Sequence, residues 1–223
     1  LRSALVIASI FSVIAVIALT LLEALLPLIS TSQEISSLVK QYLRIVIWVV
    51  PLDLFACSIS FISNGVGRTV WPAAVSAGAL ITMVLVTGLI ALGNAGFVAM
   101  GSGGVAYSFL IASLTKFILS ILLLLLSDFG SLTFTNLTES LEVPHLRRIF
   151  RVGIPIGFNE GSLHLFTALL VVFIASMGAE QLAVHNVALN VFQLSHVFSI
   201  GFMTATSVPV SYTHLTLPTT TIV

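Results

Sequence analysis

Three observations in the sequence predict an all-α polytopic membrane protein with about six spans. The first is composition. Of 223 residues, 58% are hydrophobic and 7% charged, with a mean hydropathy of +1.18. A soluble domain carries about 25% charged residues, so eight acids and eight bases cannot clothe a water-soluble globule of this size. The second is the length of the apolar tracts, since a helix needs about 20 such residues to cross the hydrocarbon core. Between Thr69 and Thr115 there is no charged side chain. The third is pattern. Unbroken apolar runs such as Ile121–Leu126 lack the alternation of a transmembrane β-barrel. A net charge of zero excludes a nucleic-acid partner that recognises phosphates. The single Cys57 excludes a disulfide-stapled secreted fold.

The spans follow in order. No charge interrupts Ser3 to Leu22, and that first span runs on to Pro27. Ser30 to Gln41 reads as an interfacial loop. The second span runs from about Tyr42 to Ile62 and contains Pro51 and Asp53. Asn64-Gly-Val-Gly-Arg68-Thr then supplies turn residues. The long uncharged tract is divided by the glycine-rich run Gly93–Gly104 into a third span, about Trp71–Leu92, and a fourth, about Val105–Ser127. Asp128–Arg151 is polar and holds Arg147, Arg148 and Arg151. A fifth span covers about Ile154–Ala175, and a sixth runs from about Leu182 to Thr206. Placing Arg2 on the cytoplasmic side puts five basic residues inside and two, Lys40 and Arg44, outside, in the direction of the positive-inside rule. Lys116 lies within a span.

Both ends are unusual. Leu1 opens directly into a span without a charged leader or a small-residue cleavage site, so this is no signal peptide, and an upstream portion is expected. After Pro209, Val210-Ser-Tyr-Thr-His-Leu-Thr-Leu-Pro-Thr219 resembles, residue for residue, one translated frame of a transposon-end adapter used in DNA sequencing libraries. Residues 210–223 are therefore expected to be an artefactual tail, and Tyr212 and His214 are set aside. Genomic codons that encode the same residues would contradict this.

Three further patterns carry a resemblance. Tyr42-Leu-Arg-Ile leads through Pro51 into Asn64-Gly-Val-Gly-Arg-Thr-Val-Trp-Pro72. Leu146-Arg-Arg-Ile-Phe-Arg-Val-Gly-Ile-Pro155-Ile-Gly opens the fifth span. Met177-Gly-Ala-Glu-Gln-Leu-Ala-Val-His185-Asn-Val-Ala-Leu-Asn190 opens the sixth. In this order they resemble the multidrug and toxic compound extrusion (MATE) family of transporters, over about residues 5–209. The resemblance implies two six-helix lobes, of which this chain holds helices three to eight. Residues 1–127 are then a partial first lobe, 128–151 a cytoplasmic inter-lobe linker and 152–209 the start of the second lobe. It implies a secondary antiporter of the inner or plasma membrane, not an enzyme. Organic, often cationic, compounds would leave in exchange for protons or sodium ions, with no cofactor beyond the coupling ion. The partners implied are the lipid bilayer, the substrates and the remaining helices of the same transporter. Two alternatives stand beside this reading. One is a lipid-linked oligosaccharide flippase of the same superfamily, disfavoured because the spans hold almost no arginine to grip a pyrophosphate. The other is an inactive, truncated helix bundle.

Ionisable groups inside a membrane cost about 2.5–3.5 kcal/mol each at the helix centre, which makes them candidates for function. Glu160 stands where hydrocarbon makes a carboxylate's charge depend on its partner, so it is a candidate coupling residue. Many members of the family carry an acid one turn later, where this chain has Leu163. His164 lies four residues beyond Glu160 on the same helix face and titrates near neutrality. Asp53 follows Pro51, which removes a backbone hydrogen bond and loosens the helix, so it is a candidate cation site or hinge. Asn186, Asn190 and Gln193 recur at helical spacing as a candidate cavity-lining stripe, next to His185. Phe158, Phe166, Phe173 and Phe192 offer aromatic faces for cationic substrates. No metal-ligand set is evident among the histidines. Where the family's fifth helix often places Asn and Asn or Asp, this chain has Val84 and Gly88. The first-lobe cation site is therefore expected to be weak, and coupling to rest on the second lobe.

Overall fold

The computed structural model describes residues 2–29, 33–93, 99–126 and 143–216. All the elements among them are helical: α1 (Arg2–Ile29), α2 (Gln33–Gly65), α3 (Val70–Val86), α4 (Gly101–Leu126), α5 (Val143–Met177) and α6 (Ala179–Thr216). A one-turn π segment, Thr87–Ala91, continues α3. The chain divides into two compact units, residues 1–141 and 142–223, with α1–α4 in the first and α5 and α6 in the second.

Helices win throughout because hydrocarbon offers no water to unpaired backbone groups, so each span satisfies its own N–H and C=O. That requirement explains where the helices overrun the sequence reading. The stretch read as a loop, Ser30–Gln41, is helical from Gln33 onward, and α2 then runs to Gly65 through Pro51 without a break. At about 1.5 Å per residue, its 33 residues exceed a hydrocarbon core of about 30 Å, so its polar start stands outside that core. In the segment read as a linker, 128–151, residues up to 142 lie outside the described ones. From Val143 the chain is helical, and Arg147, Arg148 and Arg151 ride on the first turns of α5.

Among the described residues, five helices are long and apolar enough to cross a membrane: α1 to α5, with α3 counted together with its π segment. The sixth expected span is also a helix, α6, but it falls outside that set. The backbone of α6 continues to Thr216, into the tail set aside above; residues 217–223 lie outside the described ones.

In the first unit α2 packs against α1 and α4, and α4 also packs against α3. The interior is built from small side chains. Ala8, Ala56, Ala79, Ala106 and Ala112 are buried, as are Ser12, Ser108, Ser113 and Ser120, whereas Trp48 (64% exposed), Phe61 (73%) and Leu126 (78%) face outward. This inverts a soluble core. Lipid is as apolar as leucine, so helices associate where small residues let their backbones approach and leave the large apolar side chains to the acyl chains. Ser108 Oγ donates to Gly104 O at 2.8 Å and Thr115 Oγ1 to Ile111 O at 2.9 Å, each within its own helix, whereas Ser120 Oγ is buried without a hydrogen-bond partner among the described residues. Phe55 of α2 meets Phe117 of α4 edge to face, with ring centroids 6.3 Å apart.

The turn between α2 and α3 is as tight as its glycines predict. Gly67 holds φ at 81°, where only glycine sits without strain. Its N–H donates to Asn64 O at 2.9 Å, and Ser63 Oγ donates to Arg68 O at 2.9 Å. A Gly67→Ala substitution is expected to destabilise the chain by about 1 kcal/mol, read as a lowered midpoint of thermal unfolding in detergent.

Candidate functional site

The fold gathers one cluster of ionisable side chains inside the first unit. Asp53 and Cys57 are four residues apart on α2, hence on one face. Opposite them stands Lys116 of α4, whose ammonium lies 3.2 Å from Asp53 Oδ1 and 3.6 Å from Cys57 Sγ. Phe55 and Phe117 are adjacent in sequence to this cluster, and their ring contact helps hold α2 and α4 in the register that brings the charges together. The lysine side chain is 23% exposed and the aspartate 41%. Both therefore sit at a cleft rather than in a sealed core.

That cleft has a volume of about 200 Å³. Its polar lining is Asp53, Ser76, Ser113 and Lys116, and its apolar wall includes Leu80, Met83 and Phe109. α3 contributes no charged residue, so among the described residues the charges lining the cleft are the paired ones from α2 and α4. A charged pair at membrane depth is tolerated when each partner neutralises the other. The arrangement is an internal ion pair beside a small pocket lined by two hydroxyls.

Lys116 is the cleft residue that the sequence reading places in a span and leaves without a role. The signal was present: Asp53 and Lys116 are opposite charges in the second and fourth spans, and intramembrane charges pair with one another.

A second pair lies at the periphery of the same unit. Arg44 Nε donates to Glu23 Oε1 at 2.8 Å, with Arg44 70% exposed. It ties α1 to α2 near their shared end, and exposed pairs of this kind contribute about 0–1 kcal/mol.

The other sequence candidates lie in the second unit. Glu160 and His164 are exposed on α5. They share a face, as their spacing requires, and no hydrogen bond joins them among the described residues. Asn186, Asn190 and Gln193 are likewise exposed on α6, so the polar stripe exists without an enclosing wall in this two-helix unit. His185 is half-buried, and its Nε2 is buried without a hydrogen-bond partner among the described residues. His196 stacks on Phe192, with centroids 6.1 Å apart and planes 13° apart. Phe158, Phe166, Phe173 and Phe192 are 63–77% exposed.

Long apolar helices, an interior of small residues and an ion pair at membrane depth define a multi-pass α-helical membrane protein. Comparison with known proteins narrows the class. Residues 1–89 match the family model described as MatE. Along most of its length the chain is similar to proteins described as "Probable multidrug resistance protein NorM". It is 29% identical to that of Xanthomonas axonopodis pv. citri over 201 residues, covering 87% of this chain and 43% of the relative. It is 28% identical to that of Xylella fastidiosa over 220 residues, covering 95% and 45%. With the protein of Xanthomonas campestris pv. campestris the identity is 30% over 201 residues, covering 87% and 43%. The chain is thus similar to the MATE family, most directly over residues 1–89, and it spans less than half the length of these relatives.

Proposed function

We propose that the protein to which this chain belongs is a secondary active antiporter, a transporter and not an enzyme. It exports organic compounds, often cationic and amphipathic, across a cell membrane in exchange for protons or sodium ions. The observation that carries this reading is the similarity, along 87–95% of the chain, to proteins named for multidrug resistance. The physical rationale is alternating access. Two lobes rock around a central cavity, and an ion on an intramembrane carboxylate changes that carboxylate's charge and so its preferred packing. Candidate coupling groups are Asp53, Glu160 and His164. Candidate cavity-lining groups are Asn186, Asn190 and Gln193. The lipid bilayer and the remaining helices of the transporter are the partners this reading requires.

The test is expression of the full-length gene in a bacterium stripped of its own efflux pumps. The intact protein is expected to lower ethidium accumulation and raise the tolerated dose several-fold. Glu160→Gln is expected to abolish at least nine-tenths of that efflux while leaving the amount of protein in the membrane unchanged. No difference in accumulation between cells with and without the intact protein contradicts the reading.

A further inference from the structure

We propose that Lys116 is an ion-specificity residue. It acts as a tethered cation that occupies the Asp53 carboxylate, closes the first unit's cleft to sodium, and leaves the proton as the ion that releases the pair. The proposal deepens the antiport reading and rests on it for its transport consequences.

The argument begins with the donor set. A hard cation needs several oxygen ligands around it. The cleft offers one carboxylate, Asp53, and the hydroxyls of Ser76 and Ser113. The carboxylate already receives the Lys116 ammonium at 3.2 Å. A sodium ion at Asp53 would share that carboxylate with a fixed positive charge, and like charges in a poorly solvated site repel strongly. A lysine is a compact point charge with three donors on a flexible stem, and here Cys57 Sγ takes a second of those donors at 3.6 Å. The ammonium therefore fills the role a bound cation would otherwise play.

Among the described residues of the first unit, no other charge lines the cleft. α3 has no charged side chain from Val70 to Val86. On α4, Tyr107 is nine residues, or two and a half turns, before Lys116. α1, which packs on α2, brings Glu23, and that is held by Arg44 at 2.8 Å. Release then needs a change on Asp53 itself. One proton from water forms an O–H bond on the carboxylate, which leaves a neutral acid and a lysine that keeps its own proton. The reverse step returns that proton to water.

Cys57, the sole cysteine of the chain, is a built-in reporter, because its Sγ lies 3.6 Å from the Lys116 ammonium and its alkylation therefore responds to a positive charge placed or lost there. The experiment uses the full-length protein in liposomes, with any cysteine outside this chain changed to serine, and follows the rate of Cys57 alkylation by uncharged N-ethylmaleimide. Sodium replaces potassium at constant ionic strength. In the unaltered protein the rate is expected to be indifferent to the exchange. Lys116→Gln is expected to slow alkylation at least threefold, and sodium at the vacated carboxylate to restore part of that rate. Lys116→Arg keeps the charge and is expected to remain sodium-indifferent, which separates loss of charge from misfolding. A wild-type rate that responds to sodium overturns the proposal. So does a Lys116→Gln variant that is neither slowed nor made sodium-sensitive. Alkylation needs no transport, so this pattern together with absent drug efflux would sink the antiport reading alone.

Discussion

Lys116→Met alone is expected to be among the most damaging single substitutions in the first unit, and Asp53→Asn added to it is expected to rescue most of the loss. The single change leaves Asp53 as an unpaired carboxylate at membrane depth. An unpaired charge there costs about 2.5–3.5 kcal/mol on insertion scales. The Lys116–Asp53 contact is 3.2 Å, and Asp53, the group left charged, is 41% exposed, so solvent takes over part of the neutralisation and that figure is an upper bound. At about 2–4 °C per kcal/mol for a chain of this size, the single variant is expected to lose at most roughly 5–14 °C of thermal midpoint in detergent. The double variant has neither charge, and replacing both members of a buried pair with neutral groups is often nearly neutral. Losses that simply add across the two sites would show that the two residues act separately.

Gly104→Val is expected to have the second large effect, because it wedges two helices apart. A Cβ on Gly104 would stand 2.6 Å from Ala91 Cα and 2.9 Å from Ala91 N. Those are backbone atoms of the π segment, not the tip of a movable side chain. Met100 N–H donates to Ile90 O at 3.0 Å, so the connection between that segment and α4 is held at the same point. Overpacking of this kind costs about 1–3 kcal/mol, and a π segment that must shift bodily puts the value at the upper end. Gly103 is the control. A Cβ there meets nothing within 4 Å, and Gly103→Ala is expected to be neutral or stabilising by up to about 1 kcal/mol, since alanine favours a helix over glycine. Equal losses at the two positions would show that the contact between α4 and the π segment carries no energy.

The bundle was legible in the sequence because the solvent is legible. Tracts such as Thr69–Thr115 have only one physical resting place, and backbone satisfaction in hydrocarbon then dictates helices. Helix ends were less legible. Gln33–Gln41 and Val143–Arg151 are polar enough to read as loops, yet a helix that has already satisfied its backbone in the membrane extends readily into the interface when no glycine or strand partner stops it. Pro51 and Pro155 sit inside helices for the same reason, since neighbouring turns hold the backbone around them. Asp53 is recognised as a candidate from its type and its place after Pro51. Its partner is not, because Lys116 lies 63 residues away and periodicity on one helix says nothing about register between two. The role of Gly104 was equally hidden. Its run of glycines marked a break between spans, whereas the need for glycine at one member of that run comes from the backbone of Ala91.

Ion-coupled efflux by the full-length protein in sealed proteoliposomes tests the central claim most directly. Ethidium release is followed after an imposed proton gradient and, separately, after an imposed sodium gradient of equal size. Proton-driven export that is lost in Glu160→Gln, with Asp53 and Lys116 still paired, is the result this account predicts. Ethidium movement that ignores both gradients would contradict it, because intramembrane carboxylates that couple nothing leave the family resemblance without a mechanism in this protein.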